Sequence, residues 1–316
     1  MNVHLKCEPR KTVDWDEFRR YPEYSIAIDG YCSGPPRSSD DGLRLNINHH
    51  EDCDRIATRS SCAQAFHLVQ MGLYDAFSSR GRPRADLYVN DCDQDVQWTT
   101  YALMNPAQIE DPRYKFRIKE MINLEDVLDM SAGLYPIKKR WHLLKRLLWV
   151  SEPYTIARAD GSLHQMDGPK MHALLGETHR RIRATLSGRG KELEPDDRFE
   201  VIADFDRWQF IREIGMHARI GIAQKGLKAF VSMVSSGHDC RRYVIVRRSR
   251  FIRWFPLDDI CRRLNEAEGI VAGDKDRWGG SDNVIGSPRQ RGSKLREDAV
   301  LTIVKDACDQ ASYAHA

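Results

Sequence analysis

Apolar and polar positions along the first hundred residues change repeatedly between a strand-like and a helix-like period. The segments YSIAID (24–29), LRLNIN (43–48) and DLYVND (86–91) are short and apolar or alternating, and they predict strands. Residues 58–77 and 93–105 carry apolar side chains at helical spacing behind hydroxyl or acidic residues, and they predict helices. Strands that alternate with helices predict an α/β domain with a mostly parallel sheet and flanking helices.

The rest of the chain predicts further helices and then a second, smaller α/β region. Further elements are predicted as helix at about 106–150 and 171–188, a turn-rich linker at 151–170, strands at 227–236 and 242–249, a helix at 257–269, a glycine-rich loop at 276–295 and a final helix at about 294–311. We therefore predict an N-terminal domain at 1–150, a connecting helical or linker region at 151–225 and a C-terminal domain at 226–316.

The composition is that of an ordinary globular protein. Of the 316 residues, 41% are hydrophobic and 30% are charged, so a packed core is expected. The 49 basic and 46 acidic residues leave a net charge of +3, which is too small to indicate a nucleic-acid partner. The segment at 240–254 is an exception to this balance, because it is rich in arginine and contains no acidic residue.

The distribution of apolar residues and cysteines predicts a cytoplasmic location. No apolar run approaches the roughly 18 residues that a membrane span requires, so no membrane association is expected. The first residues, MNVHLKCEPRKTVDWDEF, lack the apolar stretch of a secretory signal. The eight cysteines are scattered without a CxxC pair, which indicates a reduced protein without disulfides.

Each of the three N-terminal strands ends in a candidate metal ligand, namely Asp29, His49 and Asp91. The carboxyl ends of parallel strands meet at one edge of a sheet, where ligands bind in open α/β folds. Two carboxylates and one imidazole suit manganese, zinc or iron. About three such ligands leave a position open for a water that the ion activates for hydrolysis. Adjacent side chains in extended backbone point apart, so His50 is expected to contact substrate rather than the same ion.

Three stretches of this region resemble the DHH phosphoesterases. NHHEDCDRIATRSSCAQ (48–64) is similar to the Asp-His-His signature of that family and the hydroxyl-rich helix start behind it. ADLYVNDCDQD (85–95) resembles a later strand that ends in a metal-binding aspartate, and IAIDGYCSG (26–34) is similar to the end of the first motif. The resemblance implies a metal-dependent hydrolase that uses metal-bound hydroxide as the nucleophile, with manganese as the expected ion and zinc or iron as alternatives.

Carried over residue by residue, the resemblance makes Asp29, His49 and Asp91 the metal ligands and His50 a catalytic, phosphate-contacting residue. Asp93 is a second catalytic candidate, and Asp93 or Asp52 is an alternative further ligand.

The chain also departs from the pattern of that family. Asn48 stands in place of the signature aspartate, and Ser25 and Ala27 stand in place of the histidine and the first aspartate of the first motif. In another alignment Asp29 is the second motif and the first motif is missing. Family members typically bind two manganese ions, so the missing ligands predict a site for one ion.

The C-terminal region is similar to the glycine-rich substrate-binding domain that usually follows a DHH domain. VIVRRS, LDDICRRLNEAEG and WGGSDNVIGSP match its strand, helix and glycine loop in that order. The candidate substrate-binding residues are Arg55, Arg59, His238, Gly279, Gly280, Ser281, Arg289 and Arg291. Glycines allow close approach of an anionic group, and arginines supply charge and paired hydrogen bonds.

The leading hypothesis is a hydrolase for a small phosphate-bearing substrate, such as a nucleotide, a cyclic nucleotide or a short oligonucleotide. The first alternative is a catalytically degenerate protein that binds a nucleotide or a short nucleic acid on the same scaffold. A second alternative is another metal chemistry, redox or hydrolytic, that uses the nearby Cys53 and Cys92. The sequence leaves a homodimer open.

Overall fold

The computed structural model describes residues 2–236, 241–271, 273–274 and 276–313. The chain is mixed α/β with two mixed sheets, which confirms the α/β class. It divides into two compact units, and each unit combines segments that are distant in sequence. The first unit comprises Met1–Met130 and Arg140–Glu194, and the second comprises Ser131–Lys139 and Pro195–Ala316.

The sheet of the first unit gathers the ends of the predicted strands at one edge. Its strands are β1 (Asn2–Cys7), β2 (Ser25–Ile28), β3 (Arg37–Ser38), β4 (Arg44–Ile47), β5 (Ser78–Ser79) and β6 (Arg82–Val89). The order is β1-β6-β2-β4-β3, and β5 pairs with β6. The β1–β6, β6–β2 and β2–β4 pairs are parallel, and the β3–β4 and β5–β6 pairs are antiparallel. The residues that follow β2, β4 and β6 therefore share one edge.

Eight α-helices are described in the first unit. They are α1 (Trp15–Phe18), α2 (Ser61–Gln70), α3 (Leu73–Ala76), α4 (Gln94–Met104), α5 (Pro106–Glu110), α6 (Pro112–Met130), α7 (His142–Ala159) and α8 (Gly168–Leu186). The predicted helix at 58–77 is divided at Gly72, whose φ of 91° favours glycine. The predicted helix at 106–150 is likewise interrupted between α6 and α7.

The predicted linker at 151–170 is wrong, because α7 continues to Ala159 with Pro153 inside it. A proline within a helix leaves the carbonyl four residues earlier without its helical donor. Here that carbonyl belongs to Trp149, and it accepts a hydrogen bond from Nη1 of Arg181 in α8 at 2.6 Å. The same guanidinium is 2.7 Å from Glu152. A side chain distant in sequence thus supplies the donor that the Trp149 carbonyl lacks within the helix.

The second unit is built on a sheet of six strands in the order β11-β12-β10-β9-β8-β7. Its elements are β7 (Phe199–Asp204), β8 (Gln209–Glu213), α9 (Ala218–Gln224), β9 (Ala229–Ser236), β10 (Arg241–Arg247), α10 (Leu257–Ala267), β11 (Gly279–Gly280), β12 (Val284–Gly286) and α11 (Glu297–Tyr313). One pair, β8–β9, is parallel and the other pairs are antiparallel. A core that includes Phe210, Tyr243 and Trp278 lies against this sheet.

The division of the chain differs from the predicted boundaries. Residues 151–194 belong to the first unit, where α7 and α8 are held together through Arg181. Residues 195–225 belong to the second unit, because β7 and β8 pair within its sheet. No described helix combines the length and the apolar character that crossing a membrane would require.

Candidate metal centre

The turn that follows β2 directs Asp29 towards two imidazoles. Asp29 and Gly30 have φ values of 49° and 83°, a left-handed pair that aspartate and glycine tolerate best. Oδ1 of Asp29 is 3.3 Å from Nε2 of His49 and 2.9 Å from Nε2 of His50. Ser61, the first residue of α2, donates its hydroxyl to the same oxygen at 3.0 Å. The structure thus brings together the predicted Asp29, His49 and His50.

Asn48 sets the direction of both histidines. Its Oδ1 accepts hydrogen bonds from the backbone N–H groups of His49 at 2.8 Å and His50 at 3.2 Å. The backbone therefore turns after β4 instead of continuing as extended chain, and the two rings lie 4.6 Å apart. The expectation that His50 points away from His49 is wrong for this reason. Nδ2 of Asn48 donates to the carbonyls of Gly34 at 2.8 Å and Cys32 at 3.3 Å, so the position uses a donor that aspartate lacks.

The carboxylates of Asp95 and Asp129, which were not predicted as site residues, also lie close to His49. Its Nε2 is 3.0 Å from Oδ2 of Asp129 at the end of α6 and 3.4 Å from Oδ2 of Asp95 in the first turn of α4. Asp95 also accepts hydrogen bonds from the backbone N–H groups of Ser61 at 2.7 Å and Cys62 at 2.6 Å. Asp95 is thereby fixed on the N-terminus of α2, where the helix dipole favours a negative charge.

The candidate ligand atoms form two groups that share His49. Among the described residues, two groups have ligand atoms within 4.8 Å of one another: Asp29, His49 and His50 in one, and His49, Asp95 and Asp129 in the other. Ligands at about 2.1 Å from an ion, at right angles, lie about 3.0 Å apart, which is close to the 3.0–3.4 Å between Nε2 and the three carboxylates. Nε2 of His49 is buried, and among the described residues none of these carboxylates has hydrogen-bond geometry to it.

Positively charged neighbours lower the pKa values of two carboxyls of the cluster. Burial works to raise the pKa of Asp29, but His50 and His49 outweigh it and hold that pKa well below its usual range. Burial likewise opposes ionisation of Asp129, yet His49 and Arg55 lower its pKa to about 2. A divalent cation would stabilise several ionised carboxylates in one buried site.

The pKa values of two other carboxyls of the cluster are shifted upwards, as is that of one imidazole. Burial and the charge of Asp29 raise the pKa of Asp95. Burial and the charge of Asp129 hold the pKa of Glu125 well above its usual range. Burial, opposed by the stronger attraction of the surrounding carboxylates, leaves the pKa of His49 well above its usual range. These opposed shifts are typical of a functional site.

The structure places Asp91 and Asp93 beside the cluster but in neither group of candidate ligands. Asp91 accepts a hydrogen bond from the backbone N–H of Cys92 at 2.7 Å. Asp93 is the N-cap of α4 and accepts from Val96 N at 3.0 Å. Burial and the neighbouring carboxylates, Asp29 first, hold the pKa of Asp93 well above its usual range. The predicted metal role of Asp91 and catalytic role of Asp93 stay predictions.

Two of the four arginines predicted to bind substrate are paired with acids of α6. The Arg55 guanidinium, with 5% of its side chain exposed, is 2.9 Å from Oδ2 of Asp129 and 3.4 Å from Nδ1 of His49. Arg59, with 44% exposed, is 2.6 Å from Asp126. Both positive charges therefore face acids of the same chain.

The predicted glycine-rich loop of the second unit is a short hairpin. Gly279 and Gly280 form β11 against β12, and the N–H of Ser281 donates to the Val284 carbonyl at 2.8 Å. At Gly280 a Cβ atom would lie 2.1 Å from that same carbonyl, so the close approach requires glycine.

The charged candidates near this hairpin differ in their surroundings. Arg291 is 2.8 Å from Asp274, and its backbone N–H donates to Asp276 at 3.0 Å. Arg289 is exposed. His238 lies outside the described residues.

The sequence contains a feature that could have identified Asp95 as a candidate ligand, but it contains no such feature for Asp129. Asp95 is an acid in the first turn of a predicted helix, two residues after Asp93. Asp129 ends a long helix whose acids read as an ordinary polar surface. In comparisons with known proteins, no family model matches the chain and no curated protein matches its sequence.

Proposed function

We propose that this chain is a metal-dependent hydrolase and that His49, Asp95 and Asp129 hold one divalent ion, with Asp29 beside them at 3.3 Å from Nε2 of His49. The observation that carries the proposal is the surrounding of His49 Nε2 by three carboxylate oxygens at 3.0–3.4 Å. Carboxylate and imidazole ligands favour manganese, with zinc and iron as alternatives. Neither group of candidate ligands contains a cysteine, which favours oxygen and nitrogen ligation over a thiolate redox centre.

The side chains around the ion divide into ligands and groups that face the solvent. When bound, the ion would supply Lewis-acid activation of water and of a phosphoryl oxygen. His50 is held by Asp29 at 2.9 Å and keeps 33% of its side chain exposed, so its ring is open to a substrate at the rim. It would donate a hydrogen bond to an anionic oxygen there, or a proton to a leaving group.

The proposal extends to a divergent DHH-like phosphoesterase. The proximity of Asp29, His49 and His50 supports it, as do the three parallel pairings of the first sheet, which suit the mostly parallel sheet of such a domain. The departures from the family support a single ion. Ala27 packs among aromatic residues, and Ser25 donates its hydroxyl to the Pro22 carbonyl.

The expected substrate is a small phosphate-bearing molecule. We propose separately that the second unit binds an anionic group, and the exposed Arg289 and the arginine-rich β10 support this role. The alternative is a catalytically degenerate nucleotide- or nucleic-acid-binding protein. It is favoured by one observation, that the Asn48 amide makes four hydrogen bonds to the backbone and offers no ligand where the family has an acid.

Metal analysis tests the proposal most directly. Wild-type protein dialysed against manganese is expected to retain one ion per chain, and His49→Ala is expected to retain none. His179→Ala is the matched control, because it removes another buried imidazole, one that contacts Thr100 instead of the carboxylates. Equal metal content in wild type and His49→Ala would refute the assignment of His49.

Measuring turnover distinguishes the hydrolase from the catalytically degenerate binding protein. We expect manganese-dependent hydrolysis of a chromogenic phosphodiester, cyclic nucleotides or short oligonucleotides. Metal binding without hydrolysis of any of these compounds would favour the degenerate binding protein. A wild-type protein that binds none of manganese, zinc and iron would refute the hydrolase.

A further inference from the structure

The guanidinium of Arg55 lies inside the cluster of candidate ligands. Its Nη2 is 2.9 Å from Oδ2 of Asp129, and 95% of the side chain is buried. The same Asp129 oxygen is 3.0 Å from Nε2 of His49. One carboxylate oxygen is therefore shared between a fixed positive group and the position where an ion would bind.

The charge of Arg55 also acts against an ion. The guanidinium lies 3.4 Å from Nδ1 of His49 and 2.9 Å from Oδ2 of Asp129, so one fixed positive charge stands beside both candidate ligands. A cation that enters the cluster is repelled by this charge.

We propose that Arg55 is a positioning residue that competes with the metal ion for Asp129. Without metal, it holds Asp129 and orients His49. When an ion takes Oδ2 of Asp129, the guanidinium is displaced from that oxygen and becomes available to an anionic group at the rim. Binding of the metal ion is thereby coupled to the release of the Arg55 guanidinium, which then recognises a phosphoryl group. This inference rests on the proposed metal site.

The segment that carries Arg55 is suited to such a displacement. Residues 51–57 form turns and bends between β4 and α2, outside any described helix or strand. The nearby Arg59 is different, because it is bound to Asp126, which also accepts the backbone N–H of Ser60 at the start of α2. Asp126 belongs to neither group of candidate ligands, so the pairing of Arg59 is not expected to depend on the ion.

Chemical labelling of the wild-type protein tests the displacement without a mutation. Phenylglyoxal is applied with and without saturating manganese, and modified arginines are quantified by peptide mass spectrometry. Arg55 is expected to be protected without metal and to react severalfold faster with it, whereas Arg59 reacts equally in both samples. An Arg55 that stays protected when manganese is bound would overturn the proposal.

Metal affinity provides a second test. By titration calorimetry, Arg55→Gln is expected to bind manganese about tenfold more tightly than wild type, and Arg55→Lys, which keeps the charge, is expected to stay close to wild type. Unchanged or weaker binding by a folded Arg55→Gln protein would overturn the competition while leaving the metal site intact. Wild-type protein that binds no manganese, zinc or iron would instead overturn the proposed function. If Arg55→Gln fails to fold, the labelling of wild type decides.

Discussion

Replacing Asn48 by aspartate gives the chain the residue that the DHH signature has at the matching position, yet we expect it to destabilise this protein. The new carboxylate keeps the acceptor for His49 and His50 but loses the donor to Gly34 and Cys32. A buried carbonyl left without a partner costs about 1–3 kcal/mol. The Cys32 carbonyl would lose its donor at 3.3 Å, whereas the Gly34 carbonyl would lose one donor at 2.8 Å but keep another, Nδ2 of Asn46 at 3.3 Å, so we assign about 1 kcal/mol to each loss.

The expected loss in the free energy of unfolding is therefore about 2 kcal/mol, and burial of the new charge adds to it. Native-state hydrogen exchange is the suitable assay, because it reports the first unit separately from the second. Peptides that cover residues 25–34 and 44–50 should exchange at least about thirtyfold faster in Asn48→Asp than in wild type. At acid pH the protonated carboxyl can donate to Gly34, so part of the protection should return.

Asn123→Asp is the matched control, because it makes the same chemical change at an exposed position of α6. It should change the free energy of unfolding by less than about 0.5 kcal/mol. The oxygens at position 48 face the backbone N–H groups of His49 and His50, so Asn48→Asp should not gain affinity for manganese. Unchanged protection, or tighter metal binding, would refute the assignment of Asn48 as a scaffold residue.

Four further predictions concern the site. His50→Ala should keep its metal but lower turnover about a hundredfold or more, and full activity would exclude a substrate role. Asp95→Ala should unpair two buried N–H groups of α2 and speed hydrogen exchange in that helix even without metal; unchanged exchange would contradict its capping role. Folding raises the pKa of Glu125 above its ordinary 4.5, so metal-free stability should fall as the pH rises through and above that value. Glu125→Gln should flatten this dependence in urea titrations at several pH values, and an unchanged slope would contradict the shift. Arg289→Ala should raise KM more than it lowers kcat, and the reverse pattern would contradict a binding role.

Three of the six strands of the first unit were predictable because their signal is local. β2, β4 and β6 lie within or overlap the segments predicted from apolar content and alternation. β1 was missed because its side chains alternate between exposed and half-buried, without a buried residue to mark it. Strand ends also predicted that Asp29 and His49 lie close together, since parallel strands share an edge.

The completion of the cluster was decided by packing. Asp129 reaches His49 from the end of α6, a helix whose sequence gives no indication of which acid faces inwards. Asp95 reaches it because α4 packs against the start of α2. Arg55 was predicted to face an anionic substrate, and in the structure it is paired with Asp129.

The sequence by itself determined the α/β class, most of the elements and the position of Asp29 and the two histidines at strand ends. These features depend on the period of apolar residues and on turn-forming residues, which act over a few positions. Tertiary structure decided which carboxylates surround His49, how Pro153 is accommodated within α7 and which charges are already paired. Those outcomes depend largely on contacts between residues distant in sequence, as in Asp129 with His49 (129 − 49 = 80 positions) or Arg181 with Trp149 (32 positions), and no local pattern encodes such contacts.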